Sequence, residues 1–125
     1  ARRFKQQFGG GMRQSGIVAA AALHALEHHR DDLRIDVERA MFLARGLQST
    51  AGFSVDMGSV QSNIVRFGVE MDAGDFASEC YSRGLYMLPS GQHGMRAVLH
   101  RDVSEEDVDT ALQIMKQVVS GAPNP

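Results

Sequence analysis

The sequence is poor in the residues that staple, bridge or react. It has one cysteine, Cys80, and only two lysines, Lys5 and Lys116, in 125 residues. A single thiol cannot build an internal disulfide framework, so stability must come from a packed core, and a reducing compartment is expected. Few lysines leave few candidates for amine chemistry. Lys116 stands beside Gln117 on the polar side of the last helix and Lys5 in a basic, exposed-looking segment, and neither has the apolar surroundings that tune a lysine for covalent work. Charge is not in excess either: 13 Lys and Arg against 15 Asp and Glu leave a formal net charge of -2. The arginines are scattered and not striped, so nucleic acid is not expected as a partner. No apolar run reaches the length of a membrane span; the most apolar stretch, Ile17 to Leu26, is too short and runs into histidines. A secretory signal is missing as well, because the basic start Ala1-Arg2-Arg3-Phe4-Lys5 leads to glycines in place of an apolar stretch. A cytoplasmic location is the expectation. The first residue is not methionine and the chain opens in what reads as the middle of a helix, so a piece of something longer is expected.

What is present suits a globular domain. An apolar fraction of 43% and a charged fraction of 22% are ordinary, and the length allows one domain with a real core. Residues 1–14 read as a helix end and linker, 15–120 as the domain, and 121–125 as a loose tail. Gln14 or Ser15 opens an alanine-rich helix to about His29 that is apolar nearly all round, which calls for cover on most sides. Asp31 or Asp32 caps a second helix, with Leu33, Val37, Ala40, Ala44 and Leu47 predicted on its buried face. Strands are expected at 53–55, 63–69, 85–88 and 95–100. In the last of these Met95, Ala97 and Leu99 should face one way and Arg96, Val98 and His100 the other. A helix from Ala73 to Arg83 ends at Gly84, and Ser104 caps a closing helix with the apolar stripe Val108, Ala111, Leu112, Met115, Val118 and Val119. The fold class is α+β: a three- to four-stranded, mainly antiparallel sheet, helices on one side, and a long N-terminal helix pair.

Three groups could carry chemistry. In Gly9-Gly10-Gly11-Met12-Arg13-Gln14-Ser15, glycines open the backbone to close approach, a helix start offers unpaired N–H groups, and Arg13 adds a fork for phosphate or carboxylate. The same run also reads as a hinge with a solvated arginine. Arg96 sits mid-strand among apolar residues, either on an exposed face or held for a partner. His24 and His28 stand one turn apart with Glu27 beside them; they suit a metal or simply a polar helix end, and no metal is assigned. Cys80 and Ser90 have no local base and are read as structural.

The run Arg3-Phe4-Lys5-Gln6-Gln7-Phe8-Gly9-Gly10-Gly11-Met12-Arg13-Gln14-Ser15-Gly16-Ile17 closely resembles the segment that follows the cofactor lysine in L-threonine aldolases. Ser62-Asn63-Ile64-Val65 and the stretch from Met95 to Val108 are similar to the same enzymes' small-domain strands and terminal helix. The likeness covers nearly the whole chain. It implies the C-terminal small domain of a fold-type I pyridoxal 5'-phosphate enzyme, a homo-oligomer that cleaves L-threonine or L-allo-threonine to glycine and acetaldehyde. Carried over residue by residue, Arg96 would hold the substrate α-carboxylate and Arg13, with Gly10 and Gly11 beside it, would lie near the cofactor phosphate. No catalytic residue falls in this chain on that reading, since the Schiff-base lysine and the groups around the pyridine ring belong to the large domain. Two departures stand out: Gln6, where some relatives carry lysine, and Leu99 before His100, where relatives often have threonine. Rival readings are a stand-alone binding or dimerisation domain derived from such an enzyme and a related β-eliminating lyase acting on an aromatic amino acid. A metal-binding module is the remaining one.

Overall fold

The computed structural model describes residues 1–121, so most of the expected tail, 122–125, lies outside the described residues. Two units divide after Asp31. In the first, a short helix α1 (Arg2–Gln7) leads through the glycine run to α2 (Gly16–His28). Gly9 takes φ +78 and Gln14 φ +50, so the link between the helices bends through left-handed backbone at both ends. No side chain of α1 or α2 is buried. Ile17 is 78% exposed, and Leu23 and Leu26 are exposed too, so α1 and the glycine link leave α2 uncovered within its own unit. Its alanine-rich sequence spreads apolar groups around the whole circumference, which no single packing surface can satisfy.

The second unit runs α3 (Asp32–Gln48), β1 (Phe53–Ser54), β2 (Ile64–Val69), α4 (Ala73–Ser82), β3 (Leu88–Pro89), β4 (Gly94–Val98) and α5 (Glu105–Val119). The strands form one antiparallel sheet in the order β1-β2-β4-β3. β2 and β3 therefore point the same way, and β4 returns between them. One sheet face is apolar: Val65, Phe67, Val69, Met95 and Ala97 are buried there, as the alternation in the sequence requires. Helices cover only that face. They contribute Ala40, Leu43 and Leu47 from α3, Phe76 and Cys80 from α4, and Val108, Leu112 and Met115 from α5. Phe76 sets its ring edge-on to Phe53 at 5.8 Å, an arrangement that suits aromatic quadrupoles. α3 and α5 approach most closely at Gly46, where a Cβ would come within 2.6 Å of Leu112 Cδ1.

Two local expectations change. Leu33 is exposed and Asp36 is buried, because the core reaches α3 only from Ala40 onward and its first turns pack beside charged groups. Arg39 lies 3.9 Å from Asp36, and Arg101 lies 3.8 Å from Asp32. The third strand starts at Leu88 and not at Leu85. Leu85 N–H is drawn back to Cys80 O at 2.9 Å as α4 ends, so it cannot enter the sheet. Pro89 then sits opposite Met95 on an edge strand, where its missing N–H removes no ladder bond.

Candidate functional site

The sheet face away from the helices carries Arg96. The register pairs Arg96 with Arg66 on β2 and with Leu88 on β3. Leu99 N–H donates to Asn63 O and Val69 N–H to His93 O, at 2.8 Å each. Those bonds fix the alternation, so Arg66 and Arg96 form a pair without mutual backbone bonds, the kind in which opposed side chains stand closest. Just beyond, Asn63 Nδ2 donates to Leu99 O at 2.6 Å and pins the two strands together past Val98. Arg66 did not stand out in the sequence, and Asn63 entered only as part of a strand that resembles the family's, with no role of its own. Alternation marks Arg66 as an outward residue, but only the register reveals that it faces Arg96.

β3 pairs with β4 only through Leu88 and Pro89, so past Arg96 the edge of β4 opens into a groove of about 380 Å³. Its walls are mostly apolar, among them Leu85, Met87, Val98, Val103 and Ala111, and its polar groups come from Tyr86, Arg96, His100 and Asp107. Asp107 is engaged in the cap of α5: its Oδ2 accepts from Ser104 Oγ at 2.7 Å and Ser104 N–H at 2.8 Å. The Ser104 hydroxyl, then the Ser104 backbone, hold its carboxyl below the ordinary range. His100 Nδ1 takes the Asp102 N–H at 3.3 Å. Arg96 is half-buried and has no ion-pair or side-chain hydrogen-bond partner among the described residues. A guanidinium in this setting has the donor geometry to bind a carboxylate through two parallel bonds.

Arg13 belongs to the other unit and is exposed. The glycine run is less open than its sequence suggests: Gly9 N–H goes to Gln6 O at 3.1 Å and Gly10 N–H to Lys5 O at 2.7 Å. Gly10 therefore has no amide left for an anion, whereas a Cβ on Gly11 would meet nothing within 4 Å. The amides that remain are those of the first turn of α2. Ser15 occupies the N-cap position, yet its side chain makes no capping bond. A left-handed Gln14, an uncapped helix start and an exposed arginine beside it fit the phosphate of pyridoxal phosphate, since helix-end N–H groups and a guanidinium recognise the same oxygens. The aldehyde of that cofactor needs a lysine amine. Lys5 and Lys116 are both exposed, which does not fit a desolvated amine.

The histidines make no converging ligand set. His24 and His28 stack at 4.3 Å, and His28 Nδ1 bonds to His24 O at 2.9 Å. Among the described residues no group of three His, Cys, Asp or Glu could hold a metal ion. Cys80 is buried, and desolvation pushes its thiol up to about 11, which leaves it a small core residue without nucleophilic character near neutral pH. No helix of the described residues is long and apolar enough to cross a membrane.

The chain's α+β fold, with its helix-backed antiparallel sheet, has counterparts among solved structures. A cystine C-S lyase, C-DES, in complex with its product cysteine persulfide, matches with a TM-score of 0.67 and 21% identity over 82% of this chain and 28% of that one. MppP soaked with the product 2-ketoarginine matches with a TM-score of 0.59 and 19% identity, over 86% of this chain and 30% of that one. Residues 1–70 match the β-eliminating lyase family, and the chain belongs to it. It is 34% identical over 122 residues to a probable low-specificity L-threonine aldolase 2 of Arabidopsis thaliana, across 94% of this chain and 34% of that protein. To the low specificity L-threonine aldolase of Escherichia coli it is 36% identical over 106 residues, across 85% of this chain and 31% of that protein. The chain spans about a third of the length of these curated relatives.

Proposed function

We propose that this chain is the substrate-carboxylate half of a pyridoxal-phosphate-dependent L-threonine aldolase, which cleaves β-hydroxy-α-amino acids to glycine and an aldehyde. The observation that carries the proposal is Arg96: half-buried in mid-strand, at a mostly apolar groove whose one carboxylate, Asp107, is taken up by Ser104, with no ion-pair partner among the described residues. Its guanidinium binds the α-carboxylate through two parallel N–H···O bonds and so fixes the orientation of the Cα–Cβ bond. Arg13 and the first turn of α2 hold the cofactor phosphate, with the site completed by the large domain and by neighbouring subunits of a cytoplasmic homo-oligomer. When bound, the cofactor supplies the electron sink that stabilises the carbanion left by loss of the aldehyde. Lys5 and Lys116 are exposed, so the lysine that anchors the cofactor belongs elsewhere in the complete enzyme and the isolated chain is inactive.

In the complete enzyme, Arg96→Ala should weaken glycine binding on the order of 100-fold, the scale of a lost bidentate charge-assisted contact. Cofactor absorbance should be unchanged. Unaltered glycine affinity would remove Arg96 from the site.

The exposed apolar surface of α2 supports a second reading, a non-catalytic domain that binds or dimerises through that helix. It requires the substitution at Arg96 to be silent in every ligand assay.

A further inference from the structure

We propose that Arg66 is the second residue of the carboxylate site, forming with Arg96 a two-guanidinium clamp. The inference deepens the assignment of Arg96 and rests on it. Two arginines are directly opposed in the closest kind of cross-strand pair. Like charges in that position repel; Arg66 is exposed and partly screened by water while Arg96 is half-buried, and an anion between them would turn the repulsion into attraction. The strands supply none. On this face β2 and β4 put Ile64, Gly68, Gly94 and Val98 around the pair, and β3 adds Leu88; none is acidic. Glu70, the next acid along the chain after β2, lines a different hollow with Lys116 and Val119. Among the described residues neither guanidinium has an ion-pair partner.

A carboxylate matches the gap. It offers about four lone-pair directions. A bidentate contact from Arg96 uses two, and a second fork rooted about 5 Å away across the strand pair can take the outer two. Exposed apolar neighbours such as Val98 and Leu88 would lower the local dielectric once the site is covered, strengthening both contacts. The ligand class is the α-carboxylate of a small amino acid, and Arg66 sets affinity for it without touching the reacting bond.

The test uses the complete, cofactor-loaded enzyme with Arg66→Gln, Arg66→Lys and Arg96→Ala. Two readouts are needed: glycine affinity by calorimetry, and Tm without ligand at about 0.02 M and about 0.5 M salt, which brackets strong and weak screening. Arg66→Gln should weaken glycine about 10-fold, the scale of one lost charge-assisted contact, and Arg66→Lys should recover part of it. The same Arg66→Gln should raise Tm in low salt, with the gain vanishing in high salt, because it relieves repulsion. Normal glycine affinity in Arg66→Gln with lost affinity in Arg96→Ala would overturn the clamp and leave Arg96 standing. Normal affinity in both would overturn the carboxylate site itself. A Tm lowered by Arg66→Gln in low salt would contradict the opposed charges.

Discussion

Helices α2 and α5 are of similar length, 13 and 15 residues, and are built on opposite plans. α5 gathers Val108, Leu112, Met115 and Val118 into one buried stripe and starts with a reciprocal Ser104–Asp107 capping box. α2 distributes Ile17, Val18, Leu23 and Leu26 around its surface, buries none of them, and starts without a side-chain cap. The sequence of α5 is satisfied within its own unit. That of α2 is not, since its apolar side chains stay exposed and Ser15 leaves the first-turn N–H groups without a side-chain cap. The buried core lies in the second unit, and the first unit contributes no buried side chain from either helix.

The largest effect separating them should come from truncating equivalent apolar positions. Met115→Ala, at a fully buried site in α5, should cost about 2–5 kcal/mol in urea unfolding of the chain, the range for a large-to-small core change. Ile17→Ala in α2 should stay within about 0.5 kcal/mol, as exposed substitutions do. Equal losses at the two positions would break the comparison.

A smaller effect sharpens it at the helix starts. Ser104→Ala should cost about 1 kcal/mol, the usual contribution of an N-cap, whereas Ser15→Ala should cost almost nothing because Ser15 makes no capping bond. The Ser104 contribution should also depend on pH. Asp107 has a folded pKa below its ordinary 3.8, so the cap's stabilisation is fully present above that ordinary value and is lost as pH falls through the lower folded one. Acid unfolding curves of the unsubstituted chain and Ser104→Ala should therefore converge at the acid end. Curves that stay parallel would show that the carboxylate is not part of the cap.

The parts of the molecule that were legible in the sequence are those set by local chemistry. The Ser104 cap, the stripe of α5 and the alternation of β4 follow from spacing alone, and each is found as expected. Leu33 and the start of β3 were misread because both depend on where neighbouring elements end. The core begins about two turns later than α3's apolar pattern does, at Ala40 and not at Leu33, and the α4 terminus captures Leu85 before it can join the sheet. Arg96 was legible as an arginine among apolar residues. Arg66 and Asn63 were not, because a cross-strand partner is a property of register, which lies in the pairing of distant segments and not in either segment. The folding of Gly10 back onto Lys5 was hidden for a local reason: three glycines permit many turns and select none.

The most direct measurement is the identity of the lysine that carries the cofactor in the complete protein. Borohydride reduction in the presence of pyridoxal phosphate, followed by peptide mass mapping, should put the cofactor's mass on a lysine outside residues 1–125. Finding it on Lys5 or Lys116 would contradict the division of labour proposed here, because the exposed amines of this chain would then be doing the chemistry assigned to the rest of the enzyme.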